Sequence, residues 1–98
     1  MESNIIELET EFHNLESDIK KNKNTYMDHI YEVILKNVKD HKFIRKRISL
    51  FKFKNTNLMV IVSEHQYKLM CENLLQYYID IESYEKCSKL YKIVNNIG

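Results

Sequence analysis

The chain has 98 residues and a formal charge of +1, with 44% hydrophobic and 30% charged residues, one Gly and no Pro. That length holds one small domain at most, and that balance is ordinary for a folded domain and argues against disorder. Without internal Gly or Pro, long helices are favoured and a turn-rich all-β sandwich or barrel is disfavoured.

The spacing of Ile5, Leu8, Phe12, Leu15 and Ile19 is a heptad seam and predicts a first helix over about 4–20. The seam spans only about two heptads, fewer than an autonomous coiled coil usually shows, so packing against the rest of the chain is the default and dimerisation through this helix the minority reading. Thr25, with Asp28 three positions on, approximates a capping box and opens a second helix over 25–40. Its apolar stripe is Met27, Ile30, Tyr31, Ile34 and Val38, and the stretch KDHKFIRKR after it fits neither helix nor strand cleanly. Two β-rich runs flanking Asn55–Asn57 predict a hairpin over 48–62, with strands near 48–54 and 58–62. The second run is apolar throughout, which predicts cover on both faces. Ser63 and Gln66 form a capping box for a helix over 64–81, striped by Tyr67, Cys71, Leu74, Tyr78 and Ile81 and widened by Leu75 and Ile79. Ser83 caps a last helix, with Tyr84, Cys87, Tyr91 and Val94 as its stripe and Leu90 and Ile97 beside them. The short connection folds these two helices back as a helical hairpin over 64–97. The expected fold class is therefore α+β, mostly helical: two N-terminal helices, a β-hairpin, then a C-terminal αα-hairpin.

The near-neutral total hides an uneven charge distribution. Residues 1–35 carry three Lys against eight acids, 36–54 carry eight Lys or Arg against Asp40 alone, and 55–98 carry four Lys against five acids. In the basic middle, Lys42, Arg45, Lys46 and Arg47 lead into Phe51–Lys54, where Phe alternates with Lys. Basic groups neutralise phosphates and strand aromatics stack on bases, so Lys42, Arg45, Lys46, Arg47, Lys52 and Lys54 are candidate nucleic-acid contacts. The plainer reading is a solvated basic edge with Phe51 and Phe53 turned to the core, the Lys guarding the edge against aggregation.

A zinc site wants about four ligands in close pairs, whereas His65, Cys71 and Cys87 stand apart in sequence. Both Cys fall on apolar stripes, where a free thiol acts as a small hydrophobe. The four His are scattered, so no Cys–His pair with an orienting third group can be named. No Gly-rich phosphate loop exists. The expectation is no enzyme, no metal and no cofactor. No apolar run approaches the ~18 residues that span a bilayer. The acidic N-terminus lacks a signal peptide's basic and apolar regions, and two Cys without an export signal suit a reducing compartment. The expected location is intracellular: cytoplasmic, or a host cell or virion for a viral protein. Abundant Lys, Ile and Asn fit an AT-rich genome, as in a phage, a larger virus, a parasite or a low-GC bacterium.

The stretch IDIESYEKCSKLYKIV resembles the UVR motif, the helical hairpin of bacterial excision-repair proteins and some chaperone-associated adaptors. The matching positions are Glu82, Tyr84, Glu85, Cys87, Ser88 and Leu90, with Ile93 or Val94 as the later apolar position. Where that family has Arg-Asp after the leucine, this chain has Tyr91 and Lys92. The resemblance implies a protein-docking hairpin and no catalysis. The sequence thus reads as a non-enzymatic protein–protein interaction module of the viral or phage accessory or virion kind, its partner another protein or a second copy. Exposed aromatics among Tyr77, Tyr84 and Tyr91 would anchor the interface. The alternative is a nucleic-acid-binding accessory protein using 36–54.

Overall fold

The structure, a computed structural model, describes residues 6–8, 20–53 and 59–97, with 6–8 and 53 given by their backbone. In chain order the elements are β1 (Ile6–Leu8), α1 (Lys23–Lys36), β2 (Val38–Lys39), β3 (Lys42–Phe43), β4 (Arg47–Phe53), β5 (Met59–Ser63), a 3₁₀ turn (Glu64–Gln66), α2 (Tyr67–Asp80) and α3 (Tyr84–Asn95). This corrects the expectation of two N-terminal helices. Ile6–Leu8 is a strand, parallel to β4 with Ile6 opposite Phe51 and Leu8 opposite Phe53. Over three residues the apolar–acidic–apolar order Ile6-Glu7-Leu8 satisfies a strand's period of two as well as a heptad, and pairing with β4 decides between them. The seam's later positions, Phe12, Leu15 and Ile19, lie outside the described residues.

Helix α1 starts from Asn22, not Thr25, and ends at Lys36. The buried Asn37 closes it, its Nδ2 donating to the Val33 carbonyl at 2.8 Å. The ambiguous stretch beyond is a two-residue ladder, Val38 opposite Phe43 and Lys39 opposite Lys42. Asp40 and His41 both take positive φ, 53° and 64°, the signature of the tight hairpin turn that Asn-Gly usually makes. The larger hairpin falls where the sequence places it. Its β4 carries a bulge at Leu50, so Ser49 faces Ile61 and Phe51 faces Val60. The bulge lets adjacent Leu50 and Phe51 both be buried.

The sheet order is β1-β4-β5. Tyr26 and Val33 of α1 pack on Ile48, Leu50 and Phe51 of β4 and on Tyr67. His29 seals this layer: its Nε2 lies 2.7 Å from the Leu50 carbonyl and its ring 5.1 Å from that of Phe51. Strand β5 departs from the expected two-sided cover. Val60 and Val62 are half-buried while Met59 and Ile61 are exposed, because no described element lies over the sheet's second face.

Ser63 N–H donates to Gln66 Oε1 at 3.0 Å, forming the backward half of the expected capping box. Helix α2 ends on the expected bend. Ser83 N–H donates to the Tyr78 carbonyl at 2.8 Å and Glu82 N–H to the Ile79 carbonyl at 3.0 Å, a Schellman motif. Glu82 holds its left-handed position at φ 60°, where Gly is the usual residue. Helix α3 then folds back on α2. Ile34 and Tyr31 of α1, Cys71, Leu74, Tyr77 and Tyr78 of α2, and Leu90 and Ile93 of α3 form the second core cluster.

Candidate functional site

The αα-hairpin carries the candidate anchors, and its helix phases decide which of them are available. Helix α3 buries Leu90 and Ile93, half-buries Cys87 and Val94, and leaves Tyr84 62% and Tyr91 60% exposed. The expected stripe Tyr84–Cys87–Tyr91–Val94 is therefore rotated. A seam through Leu90 and Ile93 buries branched aliphatics against α2 and turns the two Tyr, seven residues apart, out on one flank. Ser88 and Asn95 lie beside them on that flank, and both are uncharged and exposed. Cys87 Sγ approaches the Leu75 carbonyl at 3.9 Å, so this flank of α3 runs alongside the side of α2 that carries Leu75 and, one turn later, the exposed Ile79.

Tyr77 is different. It is buried, and its hydroxyl donates to Asn24 Oδ1 of α1, with Lys23 Nζ 5.5 Å from its ring centre. It is a strut between α1 and the hairpin, and the expectation of an exposed anchor at 77 is corrected. Tyr78 beside it is fully buried and donates to Asp28 Oδ1 at 2.7 Å. Lys86 Nζ reaches the same oxygen at 3.4 Å and lies over the rings of Tyr78 and Tyr31, 4.9 and 5.2 Å from their centres. Asn24, Asp28 and Lys86 thus cap a tyrosine cluster, in which Tyr31 and Tyr78 meet edge to face at 5.4 Å and Tyr77 and Tyr78 at 5.0 Å. No sequence motif marks this network, since its members lie some fifty positions apart in the chain. Burial, then the hydrogen bond and charge of Asp28, pushes the Tyr78 phenol up, which keeps it a neutral donor.

The basic segment stays largely exposed. Lys42, Arg45, Lys46 and Arg47 are exposed and Lys52 is half-buried, while Lys54 lies outside the described residues. Lys42 and Arg45 share a shallow groove of about 350 Å³ with Glu64 and His65. Its aromatic floor is Phe43 stacked on Tyr67, ring centres 4.0 Å apart, and the Tyr67 hydroxyl donates to the Arg45 carbonyl at 2.9 Å. Phe51 is buried under Tyr26, ring centres 5.2 Å apart, so it is unavailable to stack on a base.

The thiols follow the helix phases. Cys71 is fully buried, and burial, with Glu72 nearby, pushes it up to about 12, far from the thiolate needed for nucleophilic work. Among the described residues no three His, Cys, Asp or Glu side chains gather as metal ligands. No helix among them is long and apolar enough to cross a membrane. In comparisons with known proteins, no family model, no curated protein and no solved structure matches the chain.

Proposed function

We infer that the protein is a non-enzymatic interaction module that docks another protein through the exposed tyrosine flank of its helical hairpin, in the manner that the UVR-like stretch implies. The observation that carries this reading is the exposure of Tyr84 and Tyr91 on one flank of α3, with the Tyr84 hydroxyl donating to Glu82 Oε1 at 3.4 Å and both rings open to solvent. Tyr is enriched at interface hot spots because it brings a large apolar face and a polar tip with few rotamers to freeze. The flank is also rigidly presented: α3 is held to α2 by a buried seam, and the hairpin is held to α1 by the tyrosine cluster. This reading places the chain among small viral or phage accessory or virion proteins, in keeping with its Lys-, Ile- and Asn-rich composition.

The test is a retention assay with material from the source. Wild type should retain a partner that the Tyr84→Ser/Tyr91→Ser double variant loses by tenfold or more, with its thermal midpoint unchanged because neither ring is in the core. Equal retention by both proteins would sink this docking face.

A second reading rests on the exposed quartet Lys42, Arg45, Lys46 and Arg47. Such a cluster binds nucleic-acid backbone and little sequence, since the strand aromatic Phe51 is engaged in the core. With four phosphate contacts, affinity should fall with a log–log salt slope of about −3 to −4. A gel shift at low salt measures this, and charge reversal at Arg45 and Arg47 should abolish it. Absence of any retardation removes the reading.

A further inference from the structure

Among the described residues the sheet ends on β5, and no described strand covers this edge. Among the described residues β5 pairs with β4 alone, so the backbone groups on its other side have no strand partner. Exposed edges are normally blunted by Lys, Pro, a bulge or a covering element. Met-Val-Ile-Val-Ser carries no charge and no Pro, and the bulge of this hairpin sits in β4. Ile61 is 51% exposed on β5, and Leu69 is 63% exposed on the adjoining helix α2. Between them runs a groove of about 410 Å³, floored by Met27 and Ile30 of α1 and Met70 of α2 and walled by Val60 and Val62. An open row of backbone donors and acceptors beside an apolar trough is the arrangement that accepts an added strand.

We propose that the added strand is β5 of a second copy of this chain, paired antiparallel about a two-fold axis at Ile61, making one six-stranded sheet from two three-stranded ones. The strand's own sequence selects this occupant. Antiparallel pairing centred on Ile61 sets Val60 opposite Val62 and Met59 opposite Ser63, so the strand meets itself with no charge opposed to a like charge and with β-branched residues facing each other. A charged peptide would find no ion-pair partner among the residues that line the groove, all of which are uncharged. The two-fold axis puts both α2 helices on the same face of the joined sheet, where each Leu69 covers the other copy's trough. The contact is isologous and therefore closes as a dimer. Five residues a strand and two leucines make a small interface, at or below the roughly 1,200 Å² where specific stable ones begin. The dimer is accordingly weak and concentration-dependent. This inference uses a different surface from the hairpin flank and stands apart from it.

Analytical ultracentrifugation of the full chain from micromolar to millimolar concentration tests it. The mass should rise from 11.9 kDa toward twice that value. Ile61→Lys should hold the chain at the monomer mass throughout, with an unchanged circular dichroism spectrum because the side chain points to solvent. Hydrogen exchange on the wild type gives a check that needs no variant: the β5 amides that face away from β4 should slow as concentration rises, while those of α3 stay constant. A wild-type chain that remains monomeric at millimolar concentration overturns the proposal. So does a dimer that survives Ile61→Lys, or one that Tyr84→Ser/Tyr91→Ser dissolves, since that places the contact on the hairpin flank.

Discussion

Replacing Tyr78 with Ala should lower the stability of the fold by about 3–5 kcal/mol, the range of aromatic-to-Ala truncations in close-packed cores. The ring is fully buried between Tyr31 and Tyr77 and under the Lys86 ammonium, so its loss leaves a cavity walled by three elements that cannot all collapse into it. It also strands two neighbours, since Lys86 loses a ring face and Asp28 a donor. A small domain holds roughly 5–10 kcal/mol in total, so the Ala variant should sit near the edge of folding. Tyr78→Phe separates the two contributions. It keeps the ring and removes only the hydroxyl, and Asp28 is exposed enough to take water in its place, so about 1 kcal/mol should be lost. Urea unfolding followed by circular dichroism measures both. Equal losses for Ala and Phe would mean that the hydrogen bond and not the packing holds α1 to the hairpin. A loss below about 1.5 kcal/mol for Ala would remove the cluster from the core altogether.

Why was this cluster invisible in the sequence when its elements were not? Helix α2 and the β4–β5 hairpin were legible because each is set by a local pattern: a capping box at Ser63 and Gln66, five apolar positions at alternating spacings of four and three, and two β-rich runs around a polar turn. Where two local patterns competed, sequence reading failed. Ile6–Leu8 fits a strand and a helix equally, and only the parallel pairing with β4, more than forty residues away, selects the strand. The β2–β3 ladder turns on Asp40 and His41 at positive φ, a position that no Gly advertises. In α3 the apolar positions allow two seams a third of a turn apart. Packing of Leu90 and Ile93 against α2 chooses one, and that choice exposes Tyr84 and Tyr91. The candidate anchors were thus readable as residues but not as a surface. Whether an aromatic faces solvent depends on what the neighbouring helix covers, which is why Tyr77 is buried while Tyr84 and Tyr91, expected on the apolar stripe of α3, are exposed. The basic quartet was legible as charges but not as a surface: the sequence leaves open whether it faces solvent, and the structure exposes Lys42, Arg45, Lys46 and Arg47.

The tyrosine-rich core should also make the protein sensitive to alkali, and steeply so. Tyr31, Tyr67, Tyr77 and Tyr78 all have phenols raised above the ordinary value of 10.0, in each case chiefly by burial, and the Cys71 thiol is raised from 9.0 to about 12. These groups are neutral when protonated. In the folded chain they keep protons that the unfolded chain gives up at lower pH, so between the two values the unfolded state binds fewer protons and stability falls as pH rises. Below pH 9.0 both states are protonated and this contribution is intact. Loss begins with Cys71 and deepens above 10.0 as the tyrosines join. Each group that is ionised only when unfolded removes up to about 1.4 kcal/mol per pH unit. Between pH 10 and about 12, where the folded Cys71 thiol itself ionises, Cys71 and Tyr78 together therefore remove roughly two to three kcal/mol per unit. The urea midpoint should be flat from neutral pH to about 9 and then drop sharply, with unfolding and tyrosinate absorbance appearing together. Tyr78→Phe supplies the control. It starts less stable at neutral pH, but its decline in alkali should be shallower by about one group's share, so that the two curves converge. Curves that instead run parallel would show that Tyr78 gives up its proton at the same pH folded and unfolded, and a phenol that does so is in water, not between α1 and the hairpin.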